Sequence, residues 1–185
     1  MLVLASASPR RQELLRNAVI AFEVHPAHIA EDPLPGEPAK ACAERLARQK
    51  ALAVARQRPQ DFVLGADTVV VVDGQLLGKP SDAADAARML RMLSGREHQV
   101  ITGVCLVVSG QSSSASETTH VTVSEITDKE IADYVASGEP MDKAGAYAIQ
   151  GIASRWIPRI EGDYSNVVGL PMALVCQMLR RVGAL

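Results

Sequence analysis

The chain has 185 residues, with 19 basic against 21 acidic side chains and a formal net charge of -2. Such a balance provides no global field for duplex nucleic acid or an anionic membrane, so any phosphate recognition has to be local. Aromatic residues are only 3% of the chain, too few for a single-strand binder built on stacked rings, and no apolar run approaches bilayer-spanning length.

Apolar segments are spread evenly, with no composition break, and the length suffices for one good core, so one domain over residues 1–185 is expected. The opening MLVLASASPRR lacks the basic and long apolar regions of a leader, and a cytoplasmic protein is expected. Cys42, Cys105 and Cys176 are far apart with small apolar neighbours, which reads as buried free thiols. His25, His28, His98 and His120 form no recognisable zinc spacing, while binding of a hard cation by carboxylates stays open.

In chain order, LVLA at 2–5 reads as a short buried strand. Ser8-Pro9 then supplies an N-cap and a first-turn proline for a helix to about Asn17. AFEV is a second short strand, followed by HPAHIAEDPLPGEP, a proline-rich loop of a length that is often functional. From Pro38 to about Gln57 the periodicity is helical, with Ala43, Leu46, Ala47, Ala51 and Val54 on one face and Lys50 at its edge. FVLGADTVVVVDGQLLGKP predicts two strands around an Asp73-Gly74 hairpin turn. Ser81 is the predicted cap of a helix to Leu93. Residues 98–108 and 117–126 read as strands joined by SGQSSSASE as a flexible loop. TDKE at 127–130 is a capping box opening a helix to about Ser137. MDKAGAYAIQG reads as a loop with a short strand, SRWIPRI as a strand and LPMALVCQMLRRV as the closing helix. The class is α/β.

No P-loop and no dinucleotide fingerprint is present, so phosphate binding would need another design. SASPRR at 6–11 offers one, because amides and hydroxyls at a helix start bind oxyanions and Arg10 and Arg11 add charge-assisted donors. Locally, a plain N-cap and surface arginines explain the same residues. GADT is more pointed, since Asp67 is the only charge between Phe62 and Val72 and a carboxylate in an apolar strand needs a partner or a cation. Lys79 in LGKP is one candidate partner, in which case both residues only hold the fold. The same two could instead work on a phosphate.

SASPRRQELL, ERLARQKA, GADTVVVVDG, LGKP, LSGREHQV, TGV, DKAGAYAIQG and YSNVVGLP, in this order and over essentially the whole chain, closely resemble the Maf family of nucleoside triphosphate pyrophosphatases. The resemblance implies an elongated mixed sheet with flanking helices, two lobes around a cleft as in inosine triphosphatases, and a homodimer. Carried over by motif, Asp67 is the catalytic proton acceptor. Ser6, Arg10, Arg11, Lys50 and Lys79 surround the triphosphate, and Glu31 joins Asp67 at a divalent cation (Mg2+, Mn2+ or Co2+), with Asp32 as the alternative in the loop. Arg10, Thr68 and Gln150 resemble the dTTP/UTP branch, where the 7-methyl-GTP branch is expected to carry Trp, Gln and Glu.

The implied reaction is attack of water on the α-phosphorus, releasing pyrophosphate and the nucleoside monophosphate, with cations offsetting charge on the phosphoryl oxygens. An ordinary carboxylate is a weak base, so metal assistance belongs to this expectation. Two rival readings are a nucleotide-binding regulator of septation that needs no turnover and a 7-methyl-GTP pyrophosphatase.

Overall fold

The computed structural model describes residues 1–185. Seven strands, β1 (Leu2–Leu4), β2 (Glu23–Val24), β3 (Phe62–Val72), β4 (Gln75–Leu77), β5 (Glu97–Val108), β6 (Gln111–Thr122) and β7 (Arg159–Glu161), form one mixed sheet. Its order is β2-β1-β3-β5-β6-β7, with β4 paired to β3. The helices are α1 (Pro9–Asn17), α2 (Ala39–Ala55), α3 (Ala83–Leu93), α4 (Asp128–Ala136), α5 (Tyr164–Val168) and α6 (Met172–Arg181). The mixed α/β class is as the sequence pattern predicts. No helix is long and apolar enough to cross a membrane.

Two compact units emerge, the first comprising Met1–Thr68, Thr102–Glu117 and Gly169–Leu185, the second Val69–Ile101 and Thr118–Val168. In the first, β1 lies parallel to both neighbours, Leu4 opposite Val24 on one side and Leu64 on the other. Side chains alternate across the strands and both faces are covered. Leu2, Leu4, Leu64, Ala66, Val104 and Leu106 pack with Leu15 of α1 and Val175, Met178 and Leu179 of α6. Val3, Ala5, Val63, Cys105 and Val107 face Ala47, Ala51 and Val54 of α2.

The approach of α2 is unusually close. A Cβ at Gly65 would lie 2.2 Å from the Ala47 carbonyl oxygen, and one at Gly103 would lie 2.3 Å from that of Ala43. The two glycines admit the helix backbone against β3 and β5, which carries Lys50, one turn after Leu46, onto the sheet.

In the second unit, β3 turns into β4 through Asp73 and Gly74, both at positive φ (48° and 75°), the type I′ geometry that suits an antiparallel hairpin. Ala86, Met89, Leu90 and Leu93 bury one stripe of α3. Thr127 and Glu130 close the capping box at the start of α4, and Val121 of β6 pairs with Ile160 of β7.

Several expectations shift. Most of SGQSSSASE is strand, since the reversal needs only Ser109 and Gly110, at φ 48° and 79°, another I′ pair. The N-cap of α3 is Asp82, whose carboxylate accepts from the Asp85 amide, while Ser81 donates to the Asp85 side chain. The stretches MDKAGAYAIQG and SRWIPRI hold three 3-10 turns, and only Arg159–Glu161 is strand. Gly145, at φ 69°, breaks the extended run. The short α5 is one the sequence pattern does not predict. Cys42 and Cys105 are buried and Cys176 half-buried, all three free thiols.

Candidate functional site

The SASPRR turn is built by its own side chains. Ser8 caps α1, its hydroxyl accepting from the Arg11 amide, and the Ser8 amide donates to Ser6 Oγ at 3.2 Å. Arg10 is half-buried, but Arg11 is only 9% exposed, which removes the surface-arginine explanation for the second of the pair. Arg11 Nε donates to the Gly169 carbonyl at 2.7 Å, Nη1 to the Ala66 carbonyl at 2.9 Å and to Ser6 Oγ at 3.1 Å, and Nη2 to Thr68 Oγ1 at 3.1 Å. Four of its five N–H donors are thereby used inside the protein. Burial lowers the Arg11 pKa, while the charges of Asp67 and Glu31 act in the opposite direction. The guanidinium thus ties together the first helix, the GADT strand and the segment that enters α6.

Thr68 is held on three sides, since its Oγ1 lies 2.9 Å from Thr102 Oγ1 and 3.4 Å from the Gly169 carbonyl in addition to Arg11. Thr102 is fully buried, and its residue type alone predicts no role for it. The signal was its place in TGV: a hydroxyl inside an apolar strand requires polar partners.

Asp67 is 6% exposed, and its buried counter-ion is Lys50, whose Nζ donates to Asp67 Oδ1 at 2.7 Å. Lys50 is itself 6% exposed, buried by the close approach of α2, where periodicity alone had put it at the edge of the helix face. The same Nζ lies 3.0 Å from Glu31 Oε1. Of the two adjacent acids in the middle of the proline-rich loop, Glu31 therefore reaches the centre of the site, while Asp32 contributes a backbone carbonyl that accepts from Arg45.

Two carboxylates from a loop and a strand thus converge on one cationic atom. Their oxygens are hard donors suited to Mg2+ or Mn2+. No group of three or more His, Cys, Asp or Glu side chains stands ready to cage a metal.

Lys79 and Gln150 belong to the second unit, and both are exposed. Lys79 follows β4 in LGKP. Gln150 sits in a turn closed by the Gly151 amide donating to the Ala148 carbonyl at 3.1 Å.

Tyr147, in the same loop, packs edge-on to His98 with its hydroxyl 2.7 Å from Nε2. Burial lowers the His98 pKa to about 4 and pushes the Tyr147 phenol up. Both rings are therefore neutral at neutral pH.

The family model described as Maf-like protein matches residues 1–182. A protein of Koribacter versatilis named dTTP/UTP pyrophosphatase is 62% identical over 184 residues, spanning 100% of this chain and 95% of the relative. Proteins of the same name from Geobacter sulfurreducens and a Geobacillus species are 51% and 48% identical, spanning 100% and 98% of this chain and 97% and 98% of theirs. Among solved structures, the Staphylococcus aureus Ham1 protein is similar at a TM-score of 0.45 and 17% identity, over 66% of this chain and 71% of that one.

Proposed function

The chain belongs to the Maf family, and from that premise we propose that it hydrolyses dTTP and UTP to the nucleoside monophosphate and pyrophosphate. The observation that carries the proposal is the convergence of Asp67 and Glu31 on Lys50 Nζ, a buried acid–ammonium pair joined by a second, solvent-exposed acid beside the SASPRR turn. Relatives named for this activity span nearly the whole chain.

In this reading the oxygen of a water molecule bonds to the α-phosphorus as the bond from that phosphorus to the bridging oxygen breaks. Pyrophosphate leaves with the electron pair, and the water proton passes to an Asp67 carboxylate oxygen. Asp67 and Glu31 would hold a divalent cation, which would supply charge neutralisation at the phosphoryl oxygens. Lys50, whose Nζ stands between Asp67 and Glu31, would present its ammonium to a phosphate oxygen. Ser6 retains its hydroxyl proton for a phosphate oxygen and Arg11 retains one N–H. Arg11 is chiefly a positioning residue, since its other donors hold Ser6, Ala66, Thr68 and Gly169.

Lys79 is assigned to a phosphate oxygen, and Arg10, Thr68 and Gln150 to selection of the pyrimidine, on the match of their motifs. A site built to hydrogen-bond the thymine or uracil edge rejects bases that leave its groups unpaired. We further propose that residues 1–185 act as one functional domain, in a cytoplasmic homodimer.

The test measures pyrophosphate against orthophosphate over dTTP, UTP, CTP and 7-methyl-GTP, with added Mg2+ and with chelator, for the wild type and Asp67→Asn. Metal-dependent pyrophosphate release from dTTP and UTP, abolished in Asp67→Asn, is expected. Nucleotide binding without turnover would point to a regulator instead, and a preference for 7-methyl-GTP to the other branch.

A further inference from the structure

The Gln150 turn is pinned at both ends by one pair of side chains to which neither the motifs nor the reaction assigns a role. On its N-terminal side the Ala148 amide donates to Tyr134 Oη at 3.3 Å. On its C-terminal side the Ile152 amide donates to the Glu139 carboxylate, at 3.1 Å to Oε1 and 3.3 Å to Oε2. The Tyr134 hydroxyl in turn donates to Glu139 Oε1 at 2.8 Å, which closes the ring of contacts beneath the turn.

The carboxylate also fills the space under residue 151. A Cβ there would lie 2.2 Å from Glu139 Oε1 and 2.6 Å from Oε2, so any side chain at 151 would have to displace the carboxylate from beneath the turn. Tyr134 is itself fixed, 2% exposed, its ring packed edge-on against Trp156 with centroids 5.4 Å apart. Ile149 and Tyr147, immediately before Gln150, are 9% exposed and anchored inward, while Gln150 is exposed. The turn thus holds its backbone rigid at Tyr147, Ala148 and Ile152 and leaves one amide side chain facing outward. This is the construction expected where a polar group must be presented at a set position with little entropy lost on binding.

We propose that Tyr134 and Glu139 are positioning residues for base selection, acting through Gln150. The inference rests on the reading of Gln150 as a base-selecting amide, and it adds the residues that set where that amide stands. Neither side chain touches the nucleotide in this scheme.

The experiment compares Tyr134→Phe, Gln150→Ala and the double variant in the full-length protein. It reads kcat/KM for dTTP and for dCTP by pyrophosphate release, beside the melting temperature. Tyr134→Phe removes one oxygen that both donates to Glu139 and accepts from Ala148. It is expected to lower the dTTP/dCTP ratio of kcat/KM by about tenfold, in the direction of Gln150→Ala, as loss of one or two aligned hydrogen bonds allows. The double variant should have the ratio of Gln150→Ala alone, because the clamp acts only through that residue.

A Tyr134→Phe ratio within twofold of wild type overturns the proposal, as does an equal fall for both nucleotides or a double variant whose losses multiply. If Gln150→Ala leaves the ratio unchanged, the base-selecting role of Gln150 falls and the clamp with it. A lowered ratio in Gln150→Ala alone sinks only the clamp. Should Tyr134→Phe fail to fold, Glu139→Gln makes the same test, with a smaller fall in the ratio expected and the same outcomes overturning it.

Discussion

Replacing Lys50 with methionine keeps most of the aliphatic volume of the side chain and removes the charge between Asp67 and Glu31. The two ion pairs it breaks are unequal. Asp67 is 6% exposed and would be left as an uncompensated buried carboxylate, a change that costs about 3–5 kcal/mol. The Glu31 side chain is 44% exposed, and solvent screening limits its share to about 0–1 kcal/mol. In a chain of this length each kcal/mol moves the melting temperature by about 2–4 °C. Lys50→Met should therefore melt about 6–20 °C below wild type, and Glu31→Gln within about 4 °C. Adding Asp67→Asn to Lys50→Met should recover part of the loss, since removing both members of a buried pair is far less costly than removing one. Mg2+ should raise the melting temperature of Lys50→Met more than that of wild type, because the cation then meets two carboxylates without a competing ammonium. At a concentration of about 100 Kd the gain would be about 2.7 kcal/mol. The measurement is thermal unfolding at neutral pH with and without Mg2+. Equal melting temperatures for Lys50→Met and wild type, or a double variant whose losses simply add, would refute the assignment of Lys50 as the counter-ion of Asp67.

Arg11→Lys strips the planar fork from the Ala66 and Gly169 carbonyls and from Thr68, and a single ammonium cannot replace it. A loss of about 2–4 kcal/mol in chemical denaturation is expected, together with reduced kcat/KM, and a wild-type midpoint would contradict the clamp. Gly65→Ala drives a methyl group into the Ala47 carbonyl and must push α2 outward, at a cost of about 3 kcal/mol, with loss of pyrophosphate release as Lys50 moves off Asp67; a fully active, equally stable variant would show that the close approach is dispensable. His98 has a pKa of about 4 in the fold against about 6.5 in the unfolded chain. Between those values the unfolded state binds the extra proton, so the contribution of neutral His98 is fully present above pH 6.5 and is lost as pH falls toward 4. About 3 kcal/mol is at stake. His98→Gln should flatten the dependence of melting temperature on pH over that window, and an unchanged slope would exclude His98 as its source.

The order of elements was legible because it rests on local chemistry. Ser8-Pro9, Asp73-Gly74 and TDKE mark a helix start, a hairpin and a capping box through backbone preferences that act within four residues. The two-residue spacing of Leu2, Leu4, Leu64 and Ala66 and its complement in Val3, Ala5 and Val63 likewise announces strands buried on both faces. SGQSSSASE misled because its small polar residues match a loop by composition, whereas pairing with the apolar β5 decided its state. DKAGAYAIQG misled in the opposite sense, as β-favouring residues were overridden by Gly145 and by the anchors from Tyr134, Glu139 and His98.

The chemistry of the site was legible only as a set of residue types. A lone acid in an apolar strand had to have a partner, and that necessity could be read from GADT without knowing which cation would serve. The partner could not be read, because Lys50 and Lys79 are both plausible by type and only the close approach of α2 over Gly65 and Gly103 brings Lys50 to within 2.7 Å of Asp67. In the same way SASPRR announced a helix start with two guanidinium groups, but not that one of them is spent on Gly169, 158 residues away. Capping, pairing period and the need of a buried charge for compensation are properties of short segments, and so they can be read before any packing is known. Which distant groups meet that need depends on how closely helices and strands approach, and that was decided only when the chain was packed.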